Sequence, residues 1–196
     1  MRALEIELNG RSLAVAGSNA AVLLSVGISL SIHESGGTLD VSGMEDLGND
    51  VHSHLSWVEM IDLVRGDRVT VKFVEAAVVT PPSEARRTDS PQYAAERAAY
   101  EDVLRENPPK PVVLEPKQPD ARLALHWKTD PAVVAHFESG HEFISCRFSW
   151  NSFRPDRCRV TFSSFSQLEA LGRTGGKDWF SGTLNVGETC AIELEA

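Results

Sequence analysis

The sequence predicts a mainly β (α+β) fold: a tandem duplication of a small five-stranded β unit with one short helix in each copy, joined by a proline-rich linker that contains a further helix. Three observations carry this. The phrases "LVRGDRVTVKF" (63–73) and "LNVGETCAIEL" (184–194) repeat one pattern at an offset of 121, which takes Gly66 to Gly187. In each, a leucine precedes a glycine and an acidic residue, and apolar residues then alternate: Val69, Val71 and Phe73 against Cys190, Ile192 and Leu194. Alternation of this kind turns one side of a strand to a core. The repeat also extends upstream. "TLDVSGM" (38–44) lies over "RVTFSSF" (159–165) at the same offset, "VGISLSI" (26–32) over "ISCRFSW" (144–150) at 118, and "LEIEL" (4–8) over "LALHW" (123–127) at 119. Four blocks in one order favour duplication over convergence, and the offset changes fall between strands, where loops absorb insertions. Finally, eight of the ten prolines lie between residues 80 and 120, which divides the chain into a first repeat (1–80), a linker (81–120) and a second repeat (121–196).

Each element has a local reason. Strands over 4–8 and 11–15 flank Asn9-Gly10, a hairpin pair that accepts positive φ at both positions. A strand over 23–32 turns at "HESGG" into a strand over 38–43. Asn49 or Asp50 then predicts a helix cap, because Val51, Leu55, Val58 and Ile61 follow at helical spacing. Gly66 ends that segment and a strand over 68–75 closes the copy. In the second copy, "SQLE" (166–169) is a capping-box pattern for a shorter helix, and Gly175-Gly176 breaks the chain before the final strand. Within the linker, Ser90 and Pro91 form an N-cap and first-turn pair, and the helix they begin spans 91–106. Its stripe of Tyr93, Ala94, Arg97, Tyr100 and Leu104 predicts a covered face, and Pro108-Pro109 stops it.

With 196 residues, 42% of them hydrophobic, the chain can fill a core. No apolar run approaches the roughly 18–20 residues of a membrane span, and "MRALEIEL" lacks the apolar core of a secretory signal, so the expected location is the cytoplasm with no membrane partner. Cys146, Cys158 and Cys190 lack close metal or redox spacing and read as reduced core residues, with a Cys146–Cys158 bridge as the alternative in an oxidising compartment. Net charge is −9, which repels phosphate backbones and sets nucleic acid aside as a partner. A basic protein surface is the better match.

Motifs for chemistry are sparse. Asp50, His52 and His54 would share one face of a strand and form a metal cluster there; on the predicted helix the two histidines point apart. His126, His136, His141 and Glu138 match no ligand spacing. No nucleophile elbow, phosphate loop or dinucleotide fingerprint is present, so neither a catalytic residue nor a cofactor is assigned. Charge is distributed unevenly: residues 1–80 carry 5 basic and 11 acidic side chains, and residues 121–196 carry 8 and 9. Glu45, Asp46 and Asp50 stand out in the acidic half. The second half holds "RFSWNSFRPDRCR", in which Arg147, Arg154, Arg157 and Arg159 alternate with Phe148, Trp150 and Phe153, a binding-surface composition.

The functional expectation is a non-catalytic protein-binding module with a basic protein as partner. Contacts are assigned to Glu45, Asp46, Asp50, Arg147, Trp150, Phe153, Arg154 and Arg157. A compact acidic chain without catalytic motifs resembles the general profile of bacterial immunity proteins, which mask a toxin or effector. The alternatives are a metal-dependent hydrolase at Asp50, His52 and His54, and a carbohydrate-binding module that stacks sugars on Trp57, Trp127, Trp150 or Trp179.

Overall fold

The computed structural model describes residues 1–106, 115–128, 130–166 and 176–195. Its strands are β1 (Arg2–Leu8), β2 (Arg11–Gly17), β3 (Ala21–Ser31), β4 (Gly37–Asp46), β5 (His52–Leu63), β6 (Arg68–Glu75), β7 (Glu84–Arg87), β8 (Arg122–Trp127), β9 (Val133–His136), β10 (Phe143–Asn151), β11 (Arg157–Phe165), β12 (Lys177–Asn185) and β13 (Thr189–Glu195), with helix α1 (Pro91–Glu106) between β7 and β8. The protein is therefore mainly β. Two antiparallel sheets pack face to face: six strands in the order β2-β1-β6-β13-β8-β9, and seven in the order β12-β11-β10-β3-β4-β5-β7.

Alternation explains the core. Leu4 and Ile6 of β1, Val69, Val71 and Phe73 of β6, and Cys190, Ile192 and Leu194 of β13 point inward from one sheet. They meet Leu24, Val26, Ile28 and Leu30 of β3, Ile144, Cys146, Phe148 and Trp150 of β10, and Val160 and Phe162 of β11 from the other. All belong to one buried cluster.

Both sheets draw on both ends of the chain, and the two central contacts are reciprocal. Gly66 N donates to Leu194 O at 2.8 Å, while Gly187 N donates to Phe73 O at 2.7 Å. Phe73 N donates to Glu188 O at 3.1 Å, and Leu194 N to Asp67 O at 3.0 Å. Both glycines have φ of 90°, a value that an L side chain adopts only with strain. Thr70 pairs with Ala191 in one sheet and Ile28 with Cys146 in the other, each near the middle of its ladder. On either side of these pairs, β1, β2, β4 and β5 occupy the places that β8, β9, β11 and β12 occupy opposite.

Several expectations are corrected. Residues 52–63 form strand β5 in place of the predicted helix. Ser53, Leu55 and Trp57 point inward by alternation, but the phase then shifts: Ser42 pairs with Ser56, Val41 with Val58, and Leu39 with Ile61. Two extra residues of β5 bulge against β4, so inward residues fall at 55, 58 and 61 and imitate helical spacing. Asn49 and Asp50, read as caps, hold φ of 53° and 61° in the β4–β5 turn, a conformation their short polar side chains favour. With β5 counted, residues 1–80 hold six strands rather than the predicted five, and the described part of 121–196 also holds six. The short helix predicted at 166–169 falls largely outside the described residues.

Helix α1 is capped by Ser90, whose Oγ accepts Tyr93 N at 3.1 Å. Its predicted covered face is mostly open: Ala94 and Arg97 are exposed, and Tyr100 is 64% exposed. The stripe is too short of bulky apolar residues to dock. Near its start, Tyr93 stacks on His54 at 5.8 Å and Glu96 approaches Arg86 at 3.6 Å. The Leu104 side chain lies outside the described residues. The proline-rich stretch is also bound to the sandwich on both sides of the helix. β7 pairs with β5, and the buried Gln118 amide donates to Ser31 O at 2.8 Å and Gly36 O at 2.7 Å.

Candidate functional site

The β10–β11 turn, residues 152–156, projects Phe153, which is 91% exposed. An apolar ring so exposed needs a rigid support to act as an anchor, and this turn has one. Pro155 O accepts Arg2 Nε at 3.1 Å and Trp150 Nε1 at 3.3 Å. Ser152 N donates to Val22 O at 3.1 Å, and Asn151 O accepts Arg154 N at 3.2 Å. Trp150 thus corrects one assignment: it is 5% exposed, faces the core, and braces the turn from beneath. It offers a partner no surface.

Arginines surround the turn. Arg157 lies 2.9 Å from Asp156, and both side chains are well exposed; the pair raises the guanidinium's pKa and lowers the carboxyl's, chiefly through their hydrogen bonds. Such an exposed pair adds little stability. Arg154 and Arg159 have no ion-pair partner among the described residues. Arg147 lies farther along the outer face of β10, across Gly27 from Asp40. A Cβ at Gly27 would fall 2.3 Å from Asp40 Oδ1, so the missing side chain leaves room for that carboxylate. Asp40 remains exposed on that face; partial desolvation there raises its pKa, and Arg147 partly opposes the shift.

The acidic residues arrive at the same end of the seven-stranded sheet. Glu45 at the end of β4 pairs with Ala21, and Asn151 at the end of β10 pairs with Leu23, so the acidic turn and the Phe153 turn flank the start of β3. Glu45 accepts a hydrogen bond from Ser18. Asp46 Oδ1 accepts Gly48 N at 2.8 Å, which ties part of its charge to the turn. Asp50 is exposed on the left-handed bend.

The strand places His52 and His54 on one outward face, the condition set for a metal site, yet the described residues hold no group of three His, Cys, Asp or Glu that could hold a metal ion. Asp50 stays in the turn and His54 stacks on Tyr93. His52 Nδ1 is buried without a hydrogen-bond partner. At the opposite end, Glu138 does meet His136 at 3.6 Å. Its strongest partner is Lys177, whose hydrogen bond lowers the Glu138 pKa, with His136 and His141 lowering it further. His141 Nδ1 and Trp179 Nε1 both contact Ser164 Oγ, at 2.8 and 2.9 Å. Ser164 is fully buried, so it cannot meet a substrate.

The tryptophans offer no free platform for a sugar. Trp57, Trp127 and Trp150 are buried, and Lys177 Nζ sits 3.6 Å from the Trp179 ring centre. The cysteines are free and buried. Cys146 lies opposite Phe162 and Cys158 opposite Trp150, so the two do not bridge. Burial pushes the Cys158 and Cys190 thiols up to about 12, and it also raises the Cys146 thiol well above its ordinary value.

Sequence reasoning missed the surroundings of the arginines. Ser149, Arg159 and Thr183 line up across β10, β11 and β12, a row visible only once the register is known. Comparisons with family models, curated proteins and solved structures found no match.

Proposed function

We propose that the protein is a non-catalytic protein-binding module of immunity type, which masks a basic toxin or effector in the cytoplasm. The observation that carries this reading is the rigidly braced turn presenting Phe153 at 91% exposure, flanked by Arg154 and Arg157 and, across β3, by Glu45, Asp46 and Asp50. Exposed aromatics with arginine are enriched at interfaces. The acidic group and the net charge of −9 would steer a basic partner, while Phe153 would hold it.

The same reading takes the chain as a duplication, with repeats at 1–80 and 121–196 joined by 81–120. The reciprocal hydrogen bonds of Gly66 and Gly187 support it, because a fused pair of like units pairs in this isologous way.

The test uses the product of the neighbouring gene as candidate partner, with association and dissociation rates measured by surface plasmon resonance. Neutralising Glu45, Asp46 and Asp50 together (E45Q, D46N, D50N) should slow association and flatten its salt dependence. Phe153→Ala should instead raise the dissociation rate. A stable Phe153→Ala protein with unchanged kinetics would remove this turn from the interface.

A further inference from the structure

The outer face of the seven-stranded sheet carries a polar cleft of ≈ 400 Å3 beside the Phe153 turn, bounded by Arg154, Arg157 and Arg159 with Ser149, Ser181 and Thr183. We propose that this cleft binds a tetrahedral oxyanion, phosphate or sulfate, free or as an ester on a small hydroxyl-bearing molecule. The proposal goes beyond the protein-binding reading and does not rest on it.

Register builds the cleft. Arg159 stands between Ser149 and Thr183 in one cross-strand row. Thr161 and Ser181 form the next row along, Arg157 lies one step toward the turn, opposite Asn185, and Arg154 closes the end from the turn itself. Guanidinium forks come from a strand and from a turn, so they approach a common space from different directions.

Charge is the second argument. In a chain of net charge −9, three arginines border this cleft. Asp156, in the turn beside the cleft, is held by Arg157, and Arg154 and Arg159 have no ion-pair partner among the described residues. Three positive charges against one negative leave two, which a dianion would balance. Like charges brought to one cleft repel, and a bound anion turns that cost into attraction. The exposed Arg157–Asp156 pair is weak enough to exchange for a ligand. Guanidinium groups bind phosphate and sulfate oxygens through paired N–H donors.

The floor supplies the third. Ser149, Ser181 and Thr183 carry hydroxyls that both donate and accept, and Asn151 adds an amide at the edge. Such a floor suits the hydroxyls of a sugar or polyol behind the anionic group.

The experiment titrates the full chain with inorganic phosphate, inorganic sulfate, glucose 6-phosphate, glucose 6-sulfate and glucose, at one ionic strength maintained with chloride. Binding is followed by amide NMR shifts and calorimetry. Saturable binding of either oxyanion, with shifts confined to residues 149–159 and 181–185, is the expected result. Equal affinity for ion and ester identifies a free anion as the ligand, whereas tighter ester binding identifies the sugar-borne form. Arg159→Gln should weaken binding about tenfold or more, the loss of one charge-assisted pair. Arg122→Gln, on a distant strand, should change nothing. Phe153→Ala should leave the anion bound as before, although it weakens the protein partner, so the two readings fail separately. No saturation above the chloride background, or equal binding by Arg159→Gln, would overturn the proposal.

Discussion

Two aromatic residues three positions apart do opposite work. Trp150 fills the core and donates its indole N–H to Pro155 O, and Phe153 rests on the turn so braced. Trp150→Ala should therefore destabilise the protein by about 3–5 kcal/mol, the range for a large aromatic removed from a core. Phe153→Ala should alter stability by no more than about 0.5 kcal/mol while weakening the protein complex about thirtyfold, or ~2 kcal/mol. Chemical denaturation beside binding kinetics separates the two. Asp40 gives a pH signature. Although Asp40 stays exposed, partial desolvation on the sheet face lifts its folded pKa above the ordinary 3.8, so the folded state binds the extra proton and stability falls as pH rises through that range. Asp40→Asn should melt higher than the parent at neutral pH, and the gap should close at about pH 3, where both states of the parent are protonated. Identical melting curves throughout would mean that Arg147 cancels the burial penalty.

At the scale of elements, β5 and α1 mark where sequence pattern succeeds and fails. The strands with uninterrupted alternation, among them β6, β10, β13 and β3 from Leu24 onward, were legible because each keeps one phase of side chains inward. β5 was not. Its two bulges restore inward positions at intervals of three, and pairing with β4 overrides what the residues suggest in isolation. Helix α1 was legible from Ser90, Pro91 and its composition, but its exposure was not, because a stripe of small and polar residues does not reveal what lies opposite. An exposed helix of this length is marginal without packing. Limited trypsin treatment should therefore cut at Arg97 or Arg105 before any site within the two sheets, and the fragments should stay associated. First cleavage inside a sheet would show that α1 is better held than its contacts indicate. Of the candidate site, the arginines and Phe153 could be seen in the sequence. The hydroxyl row beside them required the register of β10, β11 and β12.

For the molecule as a whole, the sheets are shared. β6 lies between β1 and β13, and β3 between β4 and β10, so neither terminal half owns a complete sheet. A peptide of residues 1–88 should be unfolded or aggregated alone, and so should one of residues 115–196. Mixed as they fold, the two should assemble one-to-one, giving a dispersed amide spectrum like that of the full chain. A stable folded monomer from either half would show that the shared core is dispensable.

The placement of β13 between β6 and β8 also governs how the protein is made. The turn at Gly187 that leads into β13 leaves the ribosome 121 positions after the turn that Gly66 forms, and at about 5–20 residues per second that separation lasts roughly 6–24 s. During that interval the nascent first half holds the β6 edge open until β13 arrives, and the β3 edge open until β10 (Phe143–Asn151) has emerged. Open edges recruit other chains, and pairing over such distances is slow. Production of this protein in cells should therefore depend strongly on chaperones that shield incomplete sheets. Slowing translation near the 3′ end of the message should lower its yield more than slowing it near the start.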